Sequence, residues 1–342
     1  MNARKTASAK TRGPTTRALA AGDLDAVVAI DTALTGRARR AYHERRLAAA
    51  KRAPELHAQF AVEEGGRMTG YLLSKVLEGE FGRSSPALRL EVIAVSPDAQ
   101  HHGDGLALCE ALENEARRRG IREMRTGASW HDHRMLQFLD HAGWSLASNH
   151  VIDCRVVDAQ LGSSAEAPAM VETRERPADQ NDYGAAAAND YEALARDLAD
   201  VRSLSAKDLD AVVRIDRRLT GHDRGAYMKH KLEEALADSG IRVSLVARIE
   251  DSVAGYLMAS ADYGDFGRTE PVAIIDTIGV DPGFAHRGVG HALLSQLLVN
   301  LGALRIERVE TVLAKDNLDL LEFFYHAGFG PSDRLAFVKY LA

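Results

Sequence analysis

The sequence predicts an α/β fold made of two copies of one domain, each a mixed β-sheet flanked by helices on both faces. Two observations predict this class: a long internal repeat, and an alternation of strand-like and helix-like segments inside each repeat. Four pairs of similar segments stand 185 positions apart. The pairs are LDAVVAIDTALTG at Leu24 and LDAVVRIDRRLTG at Leu209, GYLLS at Gly70 and GYLMA at Gly255, EFGR at Glu80 and DFGR at Asp265, and HAGW at His141 and HAGF at His326.

The constant spacing indicates that about 120 residues repeat without a net insertion, which is typical of a duplicated domain and not of a short-period solenoid. We predict a first domain (copy one) at residues 17–158 and a second (copy two) at residues 201–342. Residues 159–200 are polar, aperiodic and rich in Ala, Gly, Ser and Pro, so we expect a linker whose Ala-rich end adds a turn of helix. Residues 1–16 are basic and lack acidic side chains. We expect a flexible tail there, with a targeting peptide as the alternative.

The elements of copy two follow from its hydrophobic periodicity. LDAVVRIDRRL and AYMKHKLEEALAD have the spacing of helices, whereas VSLVARIEDSVAGYLMASA alternates around an Asp-Ser turn as a hairpin does. AIIDTIGV is the expected central strand, followed by a helix at HALLSQLLVNLGAL and a strand at RVETVLA. LDLLEFFYHAGF is predicted to be a helix ended by Gly328, and RLAFVKYL the last strand. The expected order is strand, two helices, three strands, helix, strand, helix, strand.

The composition is that of an ordinary soluble globular protein, with 46% of its 342 residues hydrophobic and 27% charged. The net charge of -6, with evenly mixed signs, gives no basic surface for nucleic acid. No apolar run has the length of a membrane span. The two cysteines, Cys109 and Cys154, lack a CxxC partner, so we expect a reducing, cytoplasmic environment.

One short segment carries the clearest chemical signal. VDPGFAHRGVGHALL, Val280 to Leu294, crosses a Pro/Gly turn and enters an apolar helix through Arg287-Gly288-Val289-Gly290. Two glycines at a strand-to-helix junction let backbone N–H groups approach an anion, and the helix N-terminus adds unpaired donors. The arginine beside them can supply a charge-assisted contact, so a phosphate group is the expected guest. A tight turn without any ligand is the alternative.

Element order and motifs together resemble the GNAT superfamily of acetyl-CoA-dependent N-acetyltransferases. The resemblance spans nearly all of each copy. IGVDPGFAHRGVGHALL is similar to the family's central strand with its pyrophosphate loop, and NLDLLEFFYHAGF to its Asn-initiated helix. The resemblance implies acetyl-CoA as co-substrate, with its pyrophosphate and pantetheine arm held by this strand, loop and helix. The residues that it assigns to the cofactor are Ile278, Gly279, Val280, His286, Arg287, Gly288, Val289, Gly290, His291, Asn317 and Phe324.

Copy one departs from this pattern in its loop. It keeps two glycines, Gly103 and Gly105, but has His102 in the place of Arg287 and Asp104 between the glycines. A negative side chain there is expected to repel an incoming diphosphate by about 1 kcal/mol or more. We therefore predict that copy one is a degenerate cofactor site and that copy two is the catalytic domain.

Acetyl transfer to an amine needs a neutral amine, a donor for the tetrahedral oxyanion and a proton for the departing thiolate. Strand alternation puts Asp276 on one face with Ile278 and Val280, and the resemblance implies a carboxylate on this strand as base; a structural salt bridge is the alternative. The oxyanion donor is expected to be a backbone N–H where the central strand splays. The resemblance implies a tyrosine acid at the position of Phe324. The adjacent Tyr325 is a displaced candidate, with core or cofactor packing as its alternative and solvent as the substitute acid.

The two-helix region of copy two is the acceptor wall that the resemblance implies. The candidate substrate-binding residues are Asp216, Thr220, Arg224 and Tyr227, each of which recurs 185 positions upstream. Helix capping, salt bridges and packing between the copies are the alternative roles. DYGDFGR at residues 262–268 is predicted to be a hairpin tip that closes over the acceptor, or simply a loop. The histidine pair at His101 and the HDH at His131 lack a matching carboxylate or cysteine cluster, so no metal site is predicted.

These observations predict an N-acetyltransferase that moves an acetyl group from acetyl-CoA to an amine, by direct attack in a ternary complex in copy two. A non-catalytic acyl-CoA sensor or interaction module is the alternative. The acceptor is expected to be a small molecule or a peptide or protein amine, with neither a nucleic acid nor a membrane as partner. Duplication can reproduce the pairing of a homodimer within one chain, so we expect a monomer or a weak homodimer.

Overall fold

The structure, a computed structural model, describes residues 13–80, 85–156, 199–237, 243–262 and 270–342. Within these ranges the chain forms two seven-stranded mixed sheets and eight α-helices. The α/β fold class predicted from the repeat is therefore confirmed. No helix in these ranges is both long and apolar enough to span a membrane.

The elements of copy one follow in the order strand, two helices, three strands, helix, strand, helix and two strands. They are β1 (Thr15–Ala18), α1 (Leu24–Thr35), α2 (Arg40–Arg52), β2 (His57–Glu64), β3 (Arg67–Leu77), β4 (Ala87–Val95), α3 (Asp104–Arg118), β5 (Glu123–Ser129), α4 (His133–His141), β6 (Ser145–Leu146) and β7 (His150–Arg155).

Copy two repeats this order, and the order is the one that the sequence predicted, apart from the additional two-residue strand β13. Its elements are β8 (Asp200–Ser203), α5 (Leu209–Thr220), α6 (Gly225–Ala237), β9 (Leu245–Ile249), β10 (Ser252–Asp262), β11 (Val272–Val280), α7 (Val289–Ala303), β12 (Arg308–Leu313), α8 (Leu318–His326), β13 (Gly330–Pro331) and β14 (Arg334–Tyr340).

Two strands begin slightly earlier than the predicted domain boundaries. Strand β1 starts at Thr15, inside the expected tail, because Thr15 and Thr16 pair with Glu63 and Val62 of β2. Strand β8 starts at Asp200, the last residue of the expected linker. Residues 159–198 of the linker, with its Ala-rich end, and residues 1–12 of the tail lie outside the described residues, so the domain boundaries stay predictions.

Both faces of each sheet are covered by helices over an apolar core. In copy two, one core lies beneath α7 and α8 and includes Leu293 and Leu297, while the other lies beneath α5 and α6 and includes Ile215 and Met228. Copy one has the same two cores. The three-residue apolar spacing of α5 directs its buried side chains to the sheet, and Gly221 ends the helix at a φ of 74°, a left-handed conformation that suits glycine.

The two copies exchange strands. The first sheet has the order β1-β2-β3-β4-β5-β14-β6, so that β14 of copy two lies between β5 and β6 of copy one. The second sheet has the order β13-β7-β12-β11-β10-β9-β8, so that β7 of copy one lies between β13 and β12. Strand β14 pairs with β5 over seven residues, from Arg334 opposite Ser129 to Tyr340 opposite Glu123. The chain is therefore an intramolecular pseudo-dimer in which each sheet needs the other copy.

Strand exchange makes a prediction about isolated halves. A chain cut within residues 157–198 should give two fragments that do not fold alone, because each sheet then lacks a strand and exposes unpaired backbone groups. Coexpressed fragments should form a stable 1:1 complex. Circular dichroism and size-exclusion chromatography check both outcomes, and a folded, monomeric fragment of residues 199–342 would contradict the exchanged pairing.

Candidate active site

A split between two parallel strands of copy two is the main feature of the candidate site. Strand β11 pairs with β12 only through Val272, Ala273 and Ile274, although β11 continues to Val280. At the fork, the hydroxyl of Thr311 donates to the carbonyl oxygen of Ile275 over 3.1 Å. Beyond that point the edge of β11 that faces β12 has no strand partner among the described residues. The free backbone groups can therefore bind an extended ligand.

The loop after β11 is held from both sides. The N–H of Asp281 donates to the carbonyl of Ala254 over 2.8 Å, and its carboxylate accepts from the N–H of Gly283 and from the guanidinium of Arg218. The shortest contact to Arg218 is 2.7 Å. These bonds fix the exit of the chain from β11 and orient the loop that follows.

The loop then turns into helix α7 through two left-handed residues, His286 with a φ of 59° and Gly288 with a φ of 73°. Gly288 is the N-cap of α7, and no side chain caps the first turn. The unpaired N–H groups and the positive end of the helix dipole make this junction favourable for an anion. The predicted phosphate loop therefore has the required backbone geometry.

The side chains around the loop define which atoms face a ligand. Val289 is buried in the core and so offers only its backbone, whereas Arg287 and His291 are exposed, and the guanidinium of Arg287 lies 5.5 Å from the centre of the Phe284 ring. A Cβ atom on Gly290 would come within 3.2 Å of the Phe323 ring. Gly290 therefore lets α7 pack closely against the helix that carries Phe323.

Helix α8 places the remaining predicted cofactor residues in structural roles. The side-chain oxygen of Asn317 caps α8 by accepting the N–H of Leu320 over 3.4 Å. Phe324 has no exposed surface and packs against Phe329 with ring centres 4.8 Å apart. The ring that reaches the loop is Phe323, whose centre lies 5.1 Å from the His291 ring. Sequence analysis did not single out Phe323, although it precedes the expected aromatic position by one residue.

The candidate base and the other predicted residues of β11 do not share one face. The pairing of β10 with β11 joins Met258 to Thr277 and Ala259 to Ile275, so Asp276 is the extra residue of a β-bulge. The bulge turns Asp276 towards α6, whereas Ile278 and Val280 pack against the core beneath α7. The prediction that strand alternation aligns Asp276 with them is therefore wrong, because the bulge interrupts the alternation. Gly279, also on β11, packs closely on Tyr256: a Cβ atom on Gly279 would lie 2.7 Å from the Tyr256 ring.

Asp276 is paired with a lysine that sequence analysis did not identify. The ammonium of Lys231 lies 3.0 Å from Asp276 Oδ2, 3.4 Å from Glu80 and 3.6 Å from Glu234. Burial works to lower the pKa of Lys231, but these three carboxylates outweigh it and raise the pKa well above its usual value. The lysine is therefore a permanent cation beside the candidate base.

Copy one contains the same arrangement. Glu91, the counterpart of Asp276, is also skipped in the pairing of β3 with β4 and so lies at a bulge. Its carboxylate lies 2.6 Å from Arg46 and 2.8 Å from Arg89. Arg46 and Lys231 stand 185 positions apart. A cation that recurs on the second helix of each copy was therefore the sequence signal that could have identified the partner of the bulge carboxylate.

The predicted acceptor residues mostly bind one another. Asp216 and Arg224 are 2% and 8% exposed and form a two-point ion pair, one contact of which is 2.9 Å, while Tyr256 donates to Asp216 over 3.0 Å. Thr220 donates to the carbonyl of Asp216 at the end of α5. Arg224 also donates to the carbonyl of Gly79 in copy one. This geometry agrees with the alternative of salt bridges, capping and packing between the copies.

Tyr227 differs from that group. It is 4% exposed, and its hydroxyl has no hydrogen-bond partner among the described residues. Burial raises the pKa of Tyr227 well above its usual value, and the nearby negative charge of Glu80 raises it further. The hydroxyl therefore stays protonated. Tyr325, in contrast, is 44% exposed on the surface of α8.

Two cavities lie between the copies and meet at Asp276. A cavity of 360 Å³ is bordered by α2 and β3 of copy one and by α6 and β10 of copy two. A second cavity of 240 Å³ lies where β12 diverges from β11 and is closed by β5 and β14. Both are lined by Glu80, Arg89, Ile274 and Asp276. The candidate base therefore faces a space that copy one helps to enclose.

The loop of copy one keeps the backbone geometry of its counterpart. His101 and Gly103 have φ values of 68° and 95°, and the pairing of β4 with β5 stops at Arg89. Asp104 is buried and accepts from the hydroxyl of Thr69, so its carboxylate points inward and not into the loop. The expectation that the Asp104 carboxylate occupies the phosphate position of the loop is therefore wrong. That copy one is a degenerate cofactor site stays a prediction.

Two other predictions concern the surroundings of the site. Residues 263–269, which hold most of the DYGDFGR segment, lie outside the described residues. Among the residues that are described, no group of three or more His, Cys, Asp or Glu side chains has the arrangement of a metal site.

The sequence profile of the acetyltransferase (GNAT) family matches residues 25–144 and 209–329, one match in each copy. A comparison with curated protein sequences gave no match. Solved structures with a similar fold include a tandem GNAT protein from the clavulanic acid biosynthesis pathway, which is 16% identical with a TM-score of 0.61 over 96% of this chain and 98% of that one.

Two further structures have the same fold. A GCN5-related N-acetyltransferase from Sphaerobacter thermophilus is 14% identical with a TM-score of 0.53, over 96% of this chain and 95% of that one. A fungal multi-domain GH3 β-N-acetylglucosaminidase contains a GCN5-related glucosamine N-acetyltransferase region; it is 15% identical with a TM-score of 0.61 over 96% of this chain. This chain spans 38% of the fungal protein. At these identities the likeness shows the fold alone.

A buried histidine in the larger cavity gives a pH prediction. Burial, only partly offset by the Glu91 carboxylate, lowers the pKa of His57 to about 4. Between pH 6.5 and pH 4 the unfolded chain binds a proton that the folded chain does not, so the free energy of unfolding falls as the pH drops through this window, by about 3 kcal/mol in total. Denaturant titrations of His57→Gln should show a flatter pH dependence. An unchanged slope in the variant would show that His57 does not cause it.

Proposed function

Because the chain belongs to the acetyltransferase (GNAT) family, we propose that it is an N-acetyltransferase that moves an acetyl group from acetyl-CoA to an amine, with copy two as the catalytic domain. The observation that supports this most is the split between β11 and β12, which leads directly into the glycine loop. An extended arm linked to a diphosphate fits this combination of a free strand edge and a helix N-terminus.

The geometry of the strand and the loop supports a specific proposal for donor binding. The diphosphate of CoA is proposed to bind the N–H groups from His286 to His291, with the exposed Arg287 adding a charge-assisted contact. The pantetheine arm is proposed to lie along the free edge of β11 at Ile278 to Val280. This placement brings the thioester to the fork near Ile275, beside the bulge that carries Asp276.

The chemistry requires the amine nitrogen to attack the thioester carbon. A backbone N–H on the free edge of β11 is proposed to stabilise the oxyanion, since it is fixed before the reaction begins. Asp276 is proposed to receive the proton of the amine, directly or through water. Its Oδ2 accepts from Lys231, and no hydrogen bond to its Oδ1 is found among the described residues, so that oxygen is open for this task.

The departing thiolate also needs a proton. Tyr325 is the phenol closest in sequence to the expected position, and its exposure allows it to exchange protons with water. Phe324 occupies the expected position itself and carries no proton. We propose Tyr325 as the acid, with solvent as its substitute, since a thiolate is a tolerable leaving group.

The acceptor is proposed to approach from the face of the sheet that carries α6. Tyr227 is the member of the predicted acceptor group whose hydroxyl is available for a contact. Asp216, Thr220 and Arg224 are proposed to shape the wall of this region through their mutual bonds.

A non-catalytic acyl-CoA sensor is a second candidate function. Two observations favour it: the candidate base is held in an ion pair by Lys231, and the aromatic residue at the expected acid position is the buried Phe324. A sensor would bind acetyl-CoA through the same loop without transferring its acetyl group to any amine.

The cysteines and the strand exchange also support proposals for the cellular compartment and the oligomeric state. Cys109 and Cys154 are both buried thiols that form no disulfide, which fits a reducing cytoplasm. The exchanged strands supply within one chain the pairing that separate subunits would make, so we propose a monomer or a weak homodimer.

The loop glycines of the two copies form a matched pair for testing the donor site. Gly288→Asp places a negative charge beside the proposed diphosphate, at a left-handed position that aspartate tolerates better than most residues. We expect the dissociation constant for acetyl-CoA, measured by calorimetry, to rise by about tenfold or more. Gly103→Asp in copy one should leave it unchanged. The assignment of copy two fails if only Gly103→Asp weakens binding.

The bulge carboxylates form a second matched pair. Asp276→Asn keeps the shape and can accept the bond from Lys231, but it cannot take up a proton. We expect kcat, measured as thiol release from acetyl-CoA, to fall by about 100-fold and its pH dependence to change. Glu91→Gln should retain the parent profile. An unchanged profile in Asp276→Asn would remove this group from the mechanism.

A further inference from the structure

The end of strand β3 in copy one lies against helix α6 of copy two. Strand β3 ends at Leu77, and the next three residues, 78–80, contact the other copy through one backbone carbonyl and two carboxylates. The contacts are Arg224, which donates to the carbonyl of Gly79, the Nδ1 atom of His230, 2.9 Å from Glu78 Oε2, and the ammonium of Lys231, 3.4 Å from Glu80. Copy one therefore touches the helix whose lysine holds the candidate base.

Glu80 and Asp276 bind the same ammonium group from different copies. The Nζ atom of Lys231 lies 3.0 Å from Asp276 and 3.4 Å from Glu80. The side chains of Lys231, Asp276 and Glu80 are 10%, 9% and 13% exposed. Because water hardly reaches these groups, it screens their charges little, so the charge of one carboxylate is felt at the other.

Glu80 carries a negative charge beside this ammonium. Burial raises the pKa of Glu80, but the charge of Lys231, with smaller contributions from Arg89 and Lys75, outweighs burial and brings the pKa below its usual value. Burial lowers the pKa of Lys231, but the surrounding carboxylates outweigh it and raise that pKa well above its usual value. Both groups are therefore ionised at neutral pH.

Other charged and titratable side chains also face this cluster. Glu234 lies 3.6 Å from Lys231 but is bound by Lys75 of copy one as well, so its charge is divided between two cations. Arg89 contacts Glu91 at 2.8 Å. The other titratable groups that line the larger cavity are Arg45, Arg46, Arg52, Glu55, His57, Glu78, Tyr227, His230 and Glu233. This lining holds as many lysine and arginine side chains as carboxylates, so Glu80 acts through its closeness to Lys231 and not through a net charge of the cavity.

The charge of Glu80 affects how readily the candidate base takes up a proton. An ammonium group beside a carboxylate favours the ionised carboxylate, whereas a second carboxylate nearby favours the protonated one. Lys231 alone would therefore make Asp276 a poor proton acceptor. Glu80 acts in the opposite sense, because it shares the ammonium and adds a negative charge.

We propose that Glu80 of copy one is a positioning residue for the reaction of copy two: it shares the ammonium of Lys231 with Asp276 and so keeps Asp276 able to take up the proton of the amine. This proposal rests on the proposed function and gives copy one a part in catalysis by copy two. Glu80 itself exchanges no proton and forms no bond to the substrate. The two copies therefore act as one catalytic unit.

Turnover of the Glu80→Gln variant tests this role, since the change removes the charge and keeps the size of the side chain. We expect kcat, measured as thiol release from acetyl-CoA with 1,4-diaminobutane, benzylamine or triglycine as the amine, to fall about fivefold or more. The KM for acetyl-CoA should not change, because the proposed donor loop and α7 lie on the other face of the sheet from α6. An unchanged kcat, or a loss confined to the KM for acetyl-CoA, would overturn the proposal.

Glu78→Gln is the matched control for packing between the copies. Glu78 belongs to the same three-residue segment and also contacts α6, but it does so through His230. This variant should retain the parent kcat, and the melting temperatures of both variants report on the packing. Equal losses of kcat in Glu78→Gln and Glu80→Gln would overturn the proposal, because kcat would then depend on how copy one packs against α6.

A second background tests whether Glu80 acts through the ammonium. Mutations of side chains that share one partner have non-additive effects. In a Lys231→Met background, Glu80→Gln should therefore change kcat by less than about twofold. A loss as large as that in the parent background would show that Glu80 does not act through Lys231.

Protonation of Asp276 can also be followed without turnover. Its carboxyl carbon is assigned in ¹³C NMR spectra of the full chain by its absence from the spectrum of Asp276→Asn. We expect the midpoint of its titration to move to lower pH by about half a pH unit or more in Glu80→Gln, since loss of a neighbouring negative charge makes protonation harder. The midpoint should stay in place in Glu78→Gln. A midpoint that does not move in Glu80→Gln would overturn the proposal, whether or not Lys231→Met folds.

The two measurements separate this proposal from the proposed function. If the midpoint moves but no amine gives thiol release, the action of Glu80 on Asp276 stands and the proposed transfer fails. If thiol is released and Glu80→Gln changes neither kcat nor the midpoint, the transfer stands and the role of Glu80 is wrong.

Discussion

The early end of the β11–β12 pairing is the constraint on which the candidate site depends. Three residues of each strand pair in parallel, and then the strands separate, so the second half of β11 keeps one free edge. Were the pairing to continue, a strand would fill the space where the donor is proposed to lie. The loop that begins at Asp281 and the uncapped N-terminus of α7 come directly after this free edge, so the proposed sites for an extended arm and for its diphosphate are continuous.

Two further features turn this split into a composite site. The bulge at Asp276 sends its carboxylate away from the loop and towards α6, where Lys231 holds it. Strand exchange then brings copy one against that face, because β7 and β14 cross between the sheets. The cavities that meet at Asp276 consequently have walls from both copies. A duplication that only added a second independent domain would not place Glu80 within 3.4 Å of Lys231.

The sequence predicted the element order, the two sheets and the position of the glycine loop, because periodicity and the repeat are local or pairwise signals. It did not reveal strand exchange, since the alternating pattern of β14 is equally compatible with pairing in either sheet. It also placed Asp276 on the wrong face, because a bulge depends on the register with β10 and leaves no mark in one strand's pattern. Lys231 was overlooked, although its counterpart Arg46 recurs with Glu91 just as Lys231 does with Asp276. Such paired recurrence of opposite charges was the available signal for the ion pair.

We propose that the free edge of β11 and the start of α7 bind the donor. Hydrogen exchange measured by mass spectrometry, with and without acetyl-CoA, tests it most directly, because unpaired amides slow their exchange when a ligand bonds to them. We expect slower exchange in peptides covering residues 276–280 and 286–291, and little change in the corresponding segments of copy one. Unchanged exchange in both copy-two segments at saturating acetyl-CoA would contradict it.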